Sequence, residues 1–180
     1  MRSINKYLAL TTAIILLSIV GVSAQNTAKP ARTIEQQAYK KVLGLTRYGV
    51  FDFITVQVQG NTVILEGKVN SIGTLSEAGR AMKEIAGVER VVNNIQQLPP
   101  SPMDDAIRRE ALREFARGGL SGYLWETRPD MHIIVEYGRI TLEGYVTNSG
   151  DRDRANIYAN GISGVFQVTN NLIVGKDAMR

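Results

Sequence analysis

The sequence has no cysteine, a single histidine and a single tryptophan. Without cysteine it can form neither disulfides nor thiolate metal sites, and it has no thiol to accept a lipid anchor. With His132 alone, neither a metal cluster nor a serine–histidine pair is expected. We therefore predict a non-enzymatic protein with no catalytic residue, metal or cofactor, whose fold is held together by hydrophobic packing.

Long apolar runs are also scarce, and the main one lies at the N-terminus. Arg2 and Lys6 precede a mainly apolar run at residues 8–20, and the small residues Val22 and Ala24 follow it. This order is typical of a secretory signal peptide, and the run is short for a bilayer span. We expect export with cleavage near Ala24; an uncleaved anchor is the alternative.

The net charge is small once the predicted signal peptide is removed. Removing Arg2 and Lys6 from the 21 basic residues leaves 19 against 17 acidic ones, a net charge of +2. A nucleic-acid-binding protein usually carries a larger basic excess, and export also disfavours such a partner. Nucleic acid is therefore not an expected partner.

The sequence contains one unit twice. The phrase TVILEGKV begins at Thr62 and RITLEGYV begins at Arg139, a shift of 77 positions. Over residues 61–95 and 138–172 this shift aligns 35 positions without a gap, and twelve are identical. The identities fall mainly on apolar residues and glycine, as expected for a duplicated fold.

Prolines cluster between the two copies, where they mark a linker. The predicted organisation is a signal peptide (1–24), a flexible N-terminus (25–32), domain 1 (33–97), a linker (98–101), domain 2 (102–175) and a tail (176–180). Units of this size are small, so the two domains are expected to gain stability by packing together.

Each copy has the pattern of two strands, a helix and a third strand. In copy one, alternation predicts strands at 54–59 and 62–69, with a hairpin turn at Gly60 and Asn61. Thr74 with Glu77 predicts the start of a helix, Gly87 its C-cap, and residues 88–95 the third strand. Copy two repeats this order, with Asp151 as the helix cap and Gly164 after the helix.

A helix is also predicted before each hairpin. In copy one it spans about residues 34–44, with Thr33 as its cap. In copy two it spans 103–117, with Ser101 as cap and Pro102 in the first turn. The predicted fold class is therefore α+β, with two tandem αββαβ domains, each a three-stranded mixed sheet packed on two helices.

The combination of GNTVILEGKV with GVERVVNNI, and of YGRITLEGYV with GVFQVTNNL, resembles the BON domain. Tandem BON domains in exported proteins are similar to an osmotically inducible periplasmic protein. The resemblance implies a periplasmic location, binding to phospholipid, and a role in envelope integrity or stress tolerance without catalysis. Unlike lipidated members of that family, this chain has no anchor cysteine.

The other polar and glycine positions have structural interpretations. Alternation places His132 on the solvated face of its strand and points Glu66 and Glu143 away from the core. Gly67 and Gly144 face inward, where a helix is expected to cross closely. The Asn-Asn pairs at 93–94 and 170–171 are expected to bond local backbone groups.

The candidate binding surface lies where the copies differ. The leading helix of copy two is rich in arginine and runs into a loop with aromatic residues, a combination that suits anionic headgroups at a membrane surface. The candidate lipid-binding residues are Arg108, Arg109, Arg113, Arg117, Tyr123, Trp125 and Arg128.

Two alternatives stay open for this surface. The arginines also have Glu110 and Glu114 within reach, and simple intrahelical ion pairs explain them without a ligand. Trp125 is equally suited to cover a contact between the domains. For the whole protein, the alternative to peripheral lipid binding is a protein-interaction module that recruits an envelope protein or self-associates, with exposed sheet edges accepting a partner strand.

Overall fold

The computed structural model describes residues 31–124 and 128–176. The predicted signal peptide, most of the flexible N-terminus, Trp125 and the last four residues of the tail lie outside these ranges.

The first repeat has the predicted αββαβ order. Its elements are α1 (Ala31–Leu43), β1 (Phe53–Gln59), β2 (Thr62–Val69), α2 (Ile72–Lys83) and β3 (Arg90–Gln97). β1 pairs with β2 in antiparallel fashion, and β3 lies parallel to β2 on its other side. Val63, Leu65 and Val69 alternate onto the helix-covered face of β2 and are fully buried.

The second repeat has the same order, with one interruption. Its elements are α3 (Pro102–Arg117), a short 3-10 helix (Ser121–Tyr123), β4 (Met131–Glu136), β5 (Arg139–Val146), α4 (Ser149–Asn160), β6 (Gln167–Asn170) and β7 (Ile173–Val174). β6 and β7 both lie parallel to β5, so the predicted third strand is split into two. The α+β class with two tandem units is confirmed.

The helix starts were predicted correctly only for α3. Ser101 caps it by accepting a hydrogen bond from the Asp104 amide at 3.2 Å, with Pro102 in the first turn. The caps predicted for α2 and α4 were wrong, because Ser71 and Asn148 cap these helices, three residues before Thr74 and Asp151. Each stands immediately before its helix, and its side-chain oxygen accepts a hydrogen bond from a first-turn amide, that of Gly73 or Asp151.

Two further boundary predictions need correction. Helix α1 begins at Ala31, so the predicted cap Thr33 lies inside it. The C-caps of α2 and α4 are Glu84 and Gly161, so neither Gly87 nor Gly164 is a C-cap; both lie in the turn that leads to the next strand.

Gly67 and Gly144 have a different role from the one predicted. They lie in β2 and β5 at φ values of 135° and 104°. A Cβ atom at Gly67 would overlap the carbonyl oxygen of Phe53, and one at Gly144 would overlap that of Asp130. The close neighbour is therefore the backbone at the start of the adjacent strand, and not a crossing helix.

His132 was predicted on a solvated face, and this prediction was wrong. Alternation does turn it away from the helices, but only 5% of its surface is exposed. Its ring lies 5.4 Å from that of Tyr48 and 5.3 Å from that of Phe53, both in the first repeat. Ile134, which shares this face of β4, is buried as well. The first repeat covers the face that alternation alone assigns to solvent.

The segment of residues 48–53 joins the two repeats. The carbonyl of Val50 accepts a hydrogen bond from the amide of Ile133 at 2.7 Å, and Val50 belongs to the core of the second repeat. The buried carboxylate of Asp52 holds this segment by accepting hydrogen bonds from the amides of Gly49 and Asn70. Burial raises the pKa of Asp52, and these two bonds partly oppose that rise.

We predict that Gly67→Ala lowers the free energy of unfolding by about 3 kcal/mol, because it combines an unfavourable φ with a backbone overlap. The matched control is Gly122→Ala, since a Cβ atom there meets nothing within 4 Å and the φ is not positive. That control is expected to change stability by less than about 0.5 kcal/mol. Urea denaturation followed by circular dichroism measures both, and an equal effect of the two substitutions would contradict the assigned role of Gly67.

Candidate functional site

Three of the candidate arginines form one stripe on α3. Arg109, Arg113 and Arg117 recur every four residues, which places them along one side of the helix. All three are exposed, and the side chains of Arg113 and Arg117 expose 53% and 69% of their surface. We call these three residues the arginine stripe.

Acidic neighbours partly neutralise the arginine stripe. Arg113 pairs with Glu110, and Arg117 pairs with Glu114 at 2.7 Å, both with a spacing of three residues. Arg109 forms no ion pair within the described part of the chain. Exposed ion pairs of this kind contribute about 0–1 kcal/mol to stability. Little free energy is therefore lost when such an arginine leaves its glutamate and pairs with another anion.

Arg108 lies on a different side of α3 from the stripe. Only 3% of its surface is exposed. Its guanidinium donates to the carbonyl of Val135 and to the carboxylate of Asp105, each at 2.6 Å, while its Nε has no partner in the described structure. Arg108 therefore ties α3 to the end of β4 and does not present its charge to a surface ligand.

Tyr123 is the anchor of the segment that follows α3. Its hydroxyl donates to the Asp151 carboxylate at 2.5 Å, lies 2.6 Å from the Thr147 hydroxyl and accepts from the Thr147 amide. The hydrogen bond from Tyr123, together with that from Arg154, holds the pKa of Asp151 below its usual range. Tyr123 thus fixes this segment to the start of α4.

The remaining two candidate lipid-binding residues are Arg128 and Trp125. Arg128 is exposed on the same connection between α3 and β4. Trp125 lies outside the described residues, so neither its proposed membrane contact nor its proposed domain contact is placed by the geometry.

Two basic residues near Tyr123 were missed from the sequence. Arg154 pairs with Asp151, the carboxylate that Tyr123 also contacts. Lys176 and Tyr123 line one shallow surface depression beside Val146 and Gly175. The spacing of Asp151 and Arg154, three residues apart on a helix, is a signal that was available, whereas nothing in the sequence brings Lys176 close to Tyr123.

Two of the four strand asparagines donate to backbone carbonyls, as predicted. Asn93 donates to the carbonyl of Leu75 at 3.0 Å, and Asn170 donates to that of Arg152 at 2.9 Å. Each thereby links the third strand of its repeat to the preceding helix. Asn171 differs, because it donates to the Glu143 carboxylate at 2.7 Å.

Within residues 31–124 and 128–176, no three side chains from histidine, aspartate and glutamate come together as a metal site requires. Glu66 is exposed and Glu143 is half-buried, so both point away from the core. Over the same ranges, none of the helices has the length and apolar character needed to span a membrane.

Comparison with known families identifies the class of this protein. The model of the BON domain matches the sequence twice, over residues 33–99 and 104–176. The chain therefore belongs to the BON domain family and carries two copies of the domain. This family is known for binding phospholipids and for a role at the cell envelope, and it is generally non-enzymatic.

Comparison with individual proteins gives no further information about function. No match is found among curated proteins. Two solved structures of CdsD, a structural protein of the type III secretion system of Chlamydia trachomatis, are similar to this chain. One has 11% identity over 78% of this chain and 93% of its own, and the other, its C-terminal domain, has 12% over 76% and 96%. Both TM-scores are 0.32, and at that value the similarity carries no functional conclusion.

We predict that Tyr123→Phe raises the pKa of Asp151 and lowers stability at about pH 7 by about 1 kcal/mol. A depressed carboxyl pKa contributes stability above the unfolded value of about 3.9, which is lost as pH falls through the folded value. The difference between variant and wild type should therefore shrink at about pH 2.5.

Urea denaturation at the two pH values measures this effect. Tyr137→Phe is the control, because Tyr137 is exposed in a turn and its hydroxyl has no hydrogen bond in the described structure. A loss in the Tyr123 variant that does not depend on pH would show that Asp151 is not its target.

Proposed function

We propose that this protein is a non-enzymatic, exported protein of the periplasm that docks reversibly on anionic phospholipid surfaces and supports envelope integrity under stress. The observation that carries the proposal is the arginine stripe on α3 of a BON domain. Its three guanidiniums are exposed and repeat along one side of the helix. Membership of a family known for phospholipid binding, together with the signal-peptide pattern at residues 1–24, supports the same interpretation.

Further basic residues lie near the segment that follows α3. Arg154 and Lys176 lie beside Tyr123, and Arg128 is exposed on the connection from α3 to β4. Arginine pairs with phosphate oxygens through parallel hydrogen bonds, and each basic residue near an anionic membrane contributes about 1 kcal/mol. Trp125, two residues after Tyr123, is the side chain proposed to enter the interface.

Arg108 is left out of this docking surface. Its guanidinium is committed to Val135 and Asp105 inside the second repeat, so replacing it would disturb the fold. Tyr123 is assigned a positioning role, since its hydroxyl is used by Thr147 and Asp151. The docking surface proper consists of Arg109, Arg113, Arg117, Arg128, Arg154 and Lys176, with Trp125 as the inserting residue.

A second candidate function, protein recruitment, rests on an apolar cluster at the opposite end of α3. Phe166 exposes 77% of its surface and Tyr137 exposes 65%, and both lie at the turn end of the second sheet. The matching residues of the first repeat, Glu89 and Gly60, are not apolar side chains. Such a cluster suits an envelope protein or another copy as partner. Crosslinking in the native compartment that captures one specific protein and no lipid would favour this function.

The docking proposal predicts that Arg109→Glu/Arg113→Glu weakens binding to phosphatidylglycerol vesicles by about tenfold or more, because two attractive charges become repulsive. Co-sedimentation with these vesicles measures binding, and phosphatidylcholine vesicles give the uncharged reference. Binding of the wild type should also fall when salt is raised from roughly 0.05 M to roughly 0.5 M, since salt screens the attraction.

The control for total charge is Lys83→Glu/Arg90→Glu in the first repeat. Both residues are exposed and form no ion pair within the described part of the chain. This variant has the same change in net charge and should keep most of the binding. Equal weakening of the two variants, or no vesicle binding by the wild type, would overturn the proposal.

A further inference from the structure

A pocket lies between the two repeats, beside the segment of residues 48–53. Its volume is about 190 Å³, which is the space of about six water molecules at about 30 Å³ each. The first repeat contributes residues of α1, of this segment and of β1, and the second contributes residues at the start of β4 and within β5. Ligand sites are frequent between domains, and a pocket of this size suits a small ligand.

Aromatic side chains form much of the wall of this pocket. They are Tyr39, Tyr48, Phe53, His132 and Tyr145. The ring centroids of Tyr48 and Phe53 lie 5.4 and 5.3 Å from that of His132. The Tyr48 hydroxyl also accepts a hydrogen bond from the amide of Ile54 at 3.4 Å. Because these contacts fix the inner wall, little ordering remains to be done when a ligand enters.

The duplicated fold does not by itself require the aromatic lining. Tyr145 lies in β5 at the position that Lys68 occupies in β2, 77 residues earlier. Alternation turns Tyr145 away from the core of its own repeat, to which its neighbour Val146 belongs. Packing within the second repeat therefore does not account for a tyrosine at this position, whereas the pocket does.

The charged side chains that line the pocket are acidic. Glu35 on α1 and Asp130 before β4 are both half-buried in its wall, and no lysine or arginine lines it within residues 31–124 and 128–176. Glu35 forms no ion pair within 4.0 Å in this part of the chain. The charge of the pocket therefore favours a positively charged ligand.

Aromatic rings and carboxylates together favour one class of cation. A cation within about 6 Å of a ring centroid is attracted by the π face, and the attraction is stronger when the cation has lost its water. A primary ammonium or a guanidinium needs hydrogen-bond acceptors for all its N–H groups when it is buried. A quaternary ammonium has no N–H group, and its methyl groups suit apolar neighbours such as Leu43, Val56 and Pro129.

We propose that the pocket between the repeats binds a small, free quaternary ammonium cation of the choline class, with its methyl groups against the tyrosine rings and with Glu35 and Asp130 supplying negative charge. The headgroup of phosphatidylcholine carries the same trimethylammonium group. Its phosphate lies close to that group, however, and the two carboxylates would repel it. This site shares no residue with the docking surface on α3 and does not depend on the proposed function.

The experiment is a titration of the mature, isotope-labelled protein with choline chloride, followed by amide NMR shifts, with sodium chloride titrated in parallel. We expect saturable shifts centred on Tyr39, Thr55, Asp130 and Tyr145. The matched ligand is 3,3-dimethyl-1-butanol, which has the shape of choline without its charge and should bind more weakly by about tenfold or more. Equal binding of this alcohol, or no saturable shift with choline, would overturn the proposal.

Two variants assign the binding to the pocket. Glu35→Gln removes one charge and keeps the shape, and it should weaken choline binding by about fivefold or more. Tyr39→Leu removes one ring but keeps an apolar side chain that suits a helix, and it should weaken binding by a similar factor of about five.

The controls for these variants make the same changes outside the pocket. Glu66→Gln and Tyr137→Leu alter exposed side chains of β2 and of the turn after β4, and both should bind choline like the wild type. Circular dichroism checks that all four variants are folded. Equal affinities of the pocket variants and their controls would contradict the assigned site.

Ligand controls separate the free cation from related ligands. Dihexanoylphosphatidylcholine below its micelle concentration should bind more weakly than choline by about tenfold or more, because of its phosphate. Equal or tighter binding would show a lipid headgroup site, and equal binding of ethanolamine would show a site for any ammonium group; either result overturns the proposal. Binding of Tyr39→Leu to phosphatidylglycerol vesicles should stay at the wild-type level, so that failure of this site and failure of the α3 surface are distinguishable.

Discussion

The contact between residues 48–53 of the first repeat and strand β4 of the second is the constraint on which the rest of the structure depends. The carbonyl of Val50 accepts a hydrogen bond from the backbone of β4, and Val50 is buried in the core of the second repeat. Tyr48 and Phe53 cover His132. Each unit alone has a sheet with helices on one face only. The contact gives the second sheet a cover on its other face, which brings two small cores into one packed body.

The order of strands and helices was predictable because it depends on local periodicity. Val63, Leu65 and Val69 alternate toward the helices, and the shift of 77 positions repeats this pattern at Ile140, Leu142 and Val146. Because the same alternation of apolar residues occurs in both copies, the prediction is firmer than one made from either copy alone. The cap Ser101 was likewise predictable, since serine followed by proline at a helix start has a specific local meaning.

The errors at His132, Gly67 and Arg108 share a physical cause, because each depends on a neighbour that is distant in sequence, whereas the wrong helix caps are local errors of a few residues. His132 alternates outward as expected, but the first repeat fills the space that it faces. Gly67 is required by the carbonyl of Phe53, fourteen positions earlier in the chain and adjacent in the sheet. In the candidate site, the exposed stripe followed from helical spacing. The burial of Arg108 did not, because it depends on the carbonyl of Val135.

The contact between the repeats also limits how the two units can be separated. Without the first repeat, the second would expose His132, Ile134 and the edge of β4 that the carbonyl of Val50 now covers. The first repeat therefore completes the burial of the second, and the two domains are not interchangeable modules.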